Sequence, residues 1–187
     1  YSGQNVLLVK YSSAGAAQWA RSVSVGTNDS VFNAVSTDSF GNVYAAGYQT
    51  GNGTYTYGTA SATGTYTAEN VVLVKYDSSG AAQWARSVSE GTNTSIFNAL
   101  TTDTSGNIYA AGVQYGNSSY TYSAGVSAAG TYLLKNVVLS KYDNSGTALW
   151  VRTVSGGGSY SVFNAVATDS TGSIYAAGNQ FGSFTYT

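Results

Sequence analysis

Nineteen residues, Asn70 to Val88 (NVVLVKYDSSGAAQWARSV), occur in nearly the same form at Asn5 to Val23 and again at Asn136 to Val154. A chain that repeats itself this way builds the same unit three times. Its three tryptophans, Trp19, Trp84 and Trp150, accordingly stand 65 and 66 residues apart. A period of that length points to supersecondary units that cannot bury their own apolar faces and must stack or ring together. The sequence reads as a single repeat domain, 1–187, with repeats at 5–69, 70–135 and 136–187, the last truncated.

Within a repeat, Asn5 to Tyr11 is apolar on both faces and β-branched, which predicts a buried strand. A turn follows at Ser12 to Gly15, matched by Asp77 to Gly80 and Asp143 to Gly146. Ser or Asp at the first position and Gly at the fourth is type I turn chemistry, because the side chain accepts a backbone bond and Gly tolerates positive φ. Ala17 to Val23 then predicts a second strand, completing a hairpin. Val31 to Asp38 and its counterparts Ile96 to Asp103 and Val162 to Asp169 end in Asp-x-x-Gly and predict a third strand closed by a turn. Asn42 to Gln49 predicts a fourth, with an Ala-Ala-Gly centre that suits close approach of a neighbouring sheet or the crowded centre of a ring. The long connections Thr50 to Glu69 and Tyr115 to Lys135 carry a Tyr-Thr-Tyr motif and predict an extended, partly strand-like hairpin excursion.

Four short strands per repeat, one Trp and Gly-closed turns describe a propeller blade. The expected fold is therefore all-β, a β-propeller of four-stranded antiparallel blades, about three per chain. The blades fall at 31–88, at 96–154, and at 162–187 completed by 5–23 of the same or another chain. The motif DTSGNIYAAG at Asp103 to Gly112, taken with NVVLVKYDSSGAAQWARSV, resembles the SBBP-type bacterial β-propeller repeats, including those of spirochaete surface proteins. The resemblance covers all three repeats and implies the propeller fold; the long Tyr-rich excursions depart from the usual pattern.

The outer two strands come first and the inner two last, so the ends are complementary half-blades. Three blades are fewer than the usual ring of about four to eight. Three arrangements answer this: two chains closing a six-bladed ring, a fragment whose remaining blades lie in a longer chain, or an open polymer. The absence of methionine marks a processed chain or a piece of one.

Composition removes several function classes. Cys and His are absent, which excludes disulfides, thiolate or imidazole metal sites and Ser-His or Cys-His nucleophile pairs. Charged residues are only 8% with a net charge of −1, so no basic surface for nucleic acid exists. The longest apolar runs, Val6 to Val9 and Val71 to Val74, are far too short for a membrane span. A Gly/Ser/Thr/Tyr-rich, charge-poor chain of this kind is expected outside the cell, secreted or surface-displayed. Glu69 and Glu90 are the only glutamates and have no counterparts that suggest a paired-carboxylate site. The chain is read as a non-enzyme with no cofactor and no metal; a single Asp per Asp-x-x-Gly loop is a poor calcium ligand set.

Nine charges recur in register: Lys10, Lys75 and Lys141; Arg21, Arg86 and Arg152; Asp38, Asp103 and Asp169. A threefold ligand site is conceivable, but a charge repeated in every unit most simply does the same structural job each time. Arg21 shares a strand face with Trp19, poised to stack on a ring or pair with a carboxylate. The residues that vary or stand out in the excursions are the ligand-binding candidates: Tyr48, Gln49, Tyr55 and Tyr57, then Gln114, Tyr115, Tyr120 and Tyr122, then Gln180 and Phe181. Tyr rings flanked by amides and hydroxyls suit a sugar; ordinary strand packing is the competing explanation. Sequons at Asn28, Asn52, Asn93 and Asn117 matter only in a glycosylating host. The function expected is an interaction scaffold that assembles with copies of itself by blade complementation, with a lectin-like glycan-binding propeller as the alternative.

Overall fold

The computed structural model describes residues 3–154, 156 and 159–182. The chain is all-β, and no helix among the described residues is long and apolar enough to cross a membrane. It opens with an antiparallel hairpin of β1 (Leu8–Tyr11) and β2 (Ala17–Arg21). Next come β3 (Ser30–Thr37), β4 (Val43–Thr50), a side hairpin of β5 (Thr54–Tyr57) and β6 (Ala60–Thr63), then β7 (Glu69–Tyr76) and β8 (Ala82–Arg86). Strands β3-β4-β7-β8 lie in that order in one four-stranded antiparallel sheet. The next repeat gives β9 (Ser95–Thr102), β10 (Ile108–Tyr115), the side hairpin β11 (Ser119–Ser123) and β12 (Val126–Ala129), β13 (Lys135–Tyr142) and β14 (Ala148–Thr153). Strands β9-β10-β13-β14 form the second four-stranded sheet, and β15 (Ser161–Thr168) with β16 (Ile174–Gln180) forms a final hairpin.

The apolar runs at Val71 and Val137 make sense once the layers are seen. Strand β7 alternates its side chains between two cores, as a pleated strand must. Val71 and Leu73 enter the layer shared with the second sheet, beside Phe97, Val138 and Tyr142. Val72, Val74 and Tyr76 enter the layer shared with the β1–β2 hairpin, beside Val6 and Leu8. Each such side chain contributes roughly 1.5–3 kcal/mol by leaving water.

The Ala-Ala-Gly centre has a cause different from the expected approach of another sheet. In β3, Phe32 pairs Gly47 and Ala34 pairs Ala46, so Asn33 is an extra residue in a β-bulge. The bulge drives the carbonyl of Val31 to within 1.9 Å of where a Cβ on Gly47 would stand. The close neighbour belongs to the same sheet, and the same clash recurs at Gly112 and Gly178. Bulges re-aim side chains, and Asn33 shows the use: its Nδ2 donates to the carbonyl of Phe97 in the next sheet at 2.9 Å. Asn98 repeats this onto Phe163 at 2.9 Å.

Candidate functional site

Of the repeated residues, Lys10, Lys75, Arg21, Arg86, Trp19 and Trp84 converge on the junctions between sheets. In the first sheet Tyr44 pairs Lys75, and Lys75 pairs Trp84, so three side chains form one cross-strand row. The ammonium of Lys75 lies 5.6 Å from the centre of the Tyr44 ring, and Tyr44 and Trp84 centroids are 6.1 Å apart. Arg86 continues the row, its guanidinium 5.3 Å from the Trp84 ring. Tyr109, Lys141, Trp150 and Arg152 build the same row in the second sheet.

The rows of the β1–β2 hairpin and of the first sheet grip the turn of the following sheet. Trp19 Nε1 donates to the carbonyl of Ser78 at 3.3 Å, and Arg21 donates through Nε to Gly80 and through a terminal nitrogen to Ser79. One repeat on, Trp84 Nε1 donates to Asn144 at 3.1 Å, and Arg86 donates to Gly146 and Ser145. Lys10 and Lys75 add bonds to the carbonyls of Ser78 and Asn144, and Lys75 also donates to the Asn144 side chain. Of the two partners expected for Arg21, a ring or a carboxylate, the ring is found, on its own Trp19, and Arg21 and Arg86 add turn carbonyls in place of a carboxylate.

The aspartates organise their own turns. Asp38 Oδ1 accepts from the N–H groups of Phe40 and Asn42, and Oδ2 accepts from the Asn42 amide and the Tyr44 hydroxyl. Burial pushes the Asp38 carboxyl up, but the hydrogen bonds from Asn42, Tyr44 and Phe40 outweigh it and hold it below its ordinary value. Asp103 and Asp169 are lowered as well, Asp169 chiefly by the hydroxyl of Thr171. Burial and the Asp38 carboxylate push the Tyr44 hydroxyl far up, fixing it as a donor. Among the described residues no group of three or more acidic side chains is placed to hold a metal ion. Glu69 and Glu90 accept separately, from the hydroxyls of Thr94 and Thr121.

Six of the ten ligand-binding candidates lie inside the protein. Gln49, Tyr55, Tyr57, Gln114, Tyr120 and Tyr122 are all buried, and a buried ring offers no face to a sugar. The Tyr57 hydroxyl donates to Gln49 Oε1, whose Nε2 donates on to Ala62. Tyr122, Gln114 and Ala128 repeat the chain of bonds. These pairs pin the side hairpins against the sheets, with Tyr57 stacked on Phe32. Tyr48 and Tyr115 are half-buried, while Gln180 and Phe181 are exposed, with Phe181 stacked on Tyr160 at 5.5 Å. The four sequon asparagines lie in loops beside the strands.

Sequence reasoning missed the asparagine bulges and the asparagines that open the third strand of each sheet. Asn70 Oδ1 accepts from Thr65 and Tyr66 N–H, and its Nδ2 reaches the Gly51 carbonyl, clamping the excursion's return. Asn136 does the same with Thr131, Tyr132 and Gly116. Their recurrence at the repeat spacing was the available signal.

No protein-family model matches the chain, and no curated protein matches it.

Proposed function

We propose that this chain is a non-catalytic interaction scaffold of β-propeller type, of the kind the SBBP-like repeats suggest, that works by completing half-sheets. The observation that carries the reading is a contrast between equivalent residues. Tyr44, Val72 and Tyr76 are 0%, 0% and 1% exposed inside the first sheet, whereas their counterparts Tyr175, Leu7 and Tyr11 are 60%, 69% and 61% exposed. The β1–β2 hairpin is the outer half of the sheet seen twice in the middle of the chain, and β15–β16 is the inner half. Two open edges with apolar faces are interaction surfaces, since exposed strand edges template pairing. The Gly/Ser/Thr/Tyr-rich, charge-poor composition supports a place outside the cell or on its surface.

Hydrogen exchange tests this reading. In the working assembly, amides of Leu8 to Tyr11 and Ile174 to Gln180 should exchange as slowly as those of β4 and β7. Loop-like exchange of both edges under every condition would overturn it.

A glycan-binding reading keeps one supporting observation: a cleft of about 520 Å³ between the second sheet and β15–β16, lined by Tyr115, Lys135, Tyr160, Asn164 and Asn179. Saturable binding of a sugar lost on Tyr115→Ala would favour it. Binding that survives that change, or none, leaves the scaffold.

A further inference from the structure

The bonds between sheets specify what must cover the open ends. The bonds that reach a turn or a bulge share one direction: Trp19, Arg21, Trp84, Arg86 and the bulge residues Asn33 and Asn98 donate, and carbonyls of the following sheet accept, while Thr102 and Thr168 return single hydroxyl bonds to the preceding sheet. At the β15–β16 end the donors stand without that following turn. Among the described residues, Arg152 donates only to the carbonyl of its neighbour Val151, a bond that Arg21 and Arg86 also make to their own neighbours. The nitrogens that elsewhere reach the next turn are Nε and the second terminal nitrogen. Asn164, third of the bulge asparagines, turns to Asn179 at 3.3 Å in place of a neighbouring sheet.

The acceptor they lack is at the other end of the same chain. Ser12 to Gly15 folds into the turn of the gripped loops: Ser12 N–H donates to Ala16 at 2.8 Å and Gly15 N–H to Ser12 at 2.9 Å, as Asp77 and Gly80 do at 2.9 Å each. Gly15 shares the φ of +80° found at Gly80. A Cβ on Gly80 or Gly146 would stand 2.9 or 2.8 Å from the indole of Trp19 or Trp84, whereas one on Gly15 would meet nothing within 4 Å. The tryptophan that would cover Gly15 is Trp150 at the opposite end, which among the described residues stands against no turn glycine.

We propose that the partner is a second copy of this chain, which seats its Ser12–Gly15 turn under Trp150 and Arg152 and lays its β1 along β16, so that two copies close a ring of six sheets. The proposal rests on the half-sheet reading above and adds the partner's identity. Continuing the register in which Tyr44 meets Lys75 and Tyr109 meets Lys141 sets Tyr175 opposite the second copy's Lys10. That joins Tyr175 to Lys10, Trp19 and Arg21, completing the row that each end holds in part. Donors sit at one end and acceptors at the other, so the contact is head-to-tail, and head-to-tail contacts close when the rotation permits. Two sets of the sheets described, two whole and two halves in each, give six, within the usual four to eight.

Light scattering coupled to size exclusion on the 187-residue chain, run beside hydrogen exchange, decides it. The expected particle is about 39 kDa, twice the 19.3 kDa of one chain, with both edges protected. Arg152→Ala should weaken pairing at least about a hundredfold, because the lost charged hydrogen bonds fall at both junctions. Arg152 is exposed in the single chain, so the far-ultraviolet spectrum of the variant should match the parent's. A 19.3 kDa particle with protected edges would overturn the second copy and leave half-sheet completion standing, within one chain. The same mass with unprotected edges would sink both. Species growing with concentration past the pair, or a pair indifferent to Arg152→Ala, would also overturn the closed ring keyed by Arg152.

Discussion

Arg86 and Gly146 meet across two sheets: the guanidinium Nε donates to the Gly146 carbonyl at 3.0 Å, while the Trp84 indole covers the glycine so closely that a Cβ would stand 2.8 Å from it. One contact thus fixes both residue types in the repeat. Arg must reach past the tryptophan to the turn, and the turn must present a bare backbone.

Arg86→Ala removes three hydrogen bonds from a charged donor, two of them across the junction, and a cation–π contact, leaving the Ser145 and Gly146 carbonyls without those partners. The expected cost is about 2–4 kcal/mol, read as a lowered midpoint in urea. Melting like the parent would show that the row is decoration.

Gly47→Ala places a methyl on the carbonyl of Val31, 1.9 Å from the ideal Cβ position. Backbone cannot step aside as a flexible side chain can, so β3 and β4 must part or the bulge must shift. A loss of about 3 kcal/mol is expected, together with a loosened Asn33 bond to Phe97. Chemical denaturation of the variant measures the first, and exchange of amides in β9 the second.

Much of this arrangement was legible from the chain alone. Strand positions and turns follow from period-2 patterning and Gly placement, because those signals are local, whereas the pairing of YAAG with VVLVKY across the excursion followed only from the expected blade. The destination of Tyr57 was not legible. A Tyr-Thr-Tyr strand looks the same whether its rings face a ligand or a core, and only the pairing of β5 with β6 over Gln49 decides it. Asn33 was hidden for a related reason: nothing in VFNAV marks a bulge until Gly47 is seen opposite it. The partner of Arg21 was likewise invisible, since a backbone carbonyl in another repeat leaves no residue type to recognise.

Two tyrosine hydroxyls in the same apolar layer should respond oppositely to deletion. Tyr57 donates to Gln49 Oε1 in a buried site, so Tyr57→Phe strands an amide oxygen and should cost about 1–3 kcal/mol. The Tyr76 hydroxyl is buried with no hydrogen-bond partner among the described residues, so Tyr76→Phe should be neutral or raise stability by up to about 1 kcal/mol. Thermal melts of the two variants side by side make the comparison, and equal losses would contradict the assigned bonds.

Acid should unfold the chain in a narrow region, and the direction follows from the aspartates. Asp38, Asp77, Asp103, Asp143 and Asp169 all sit below the ordinary 3.8 in the folded state, because backbone and side-chain donors of their turns bind the ionised form. A carboxyl lowered by folding releases its proton more readily in the native state, so the unfolded chain binds more protons and stability rises with pH through that interval. The contribution is complete above 3.8 and is lost as pH falls through the lower folded values. With no histidine in the chain, no side chain of ordinary pKa titrates between pH 5 and 8. Urea midpoints should therefore be flat from pH 8 to 5 and fall below about pH 4. The change Asp103→Asn should flatten part of that fall, because it removes one titrating group while keeping an acceptor for Ser105 and Asn107. A midpoint that declined steadily between pH 8 and 5 would mean that groups other than these turn aspartates govern the acid response.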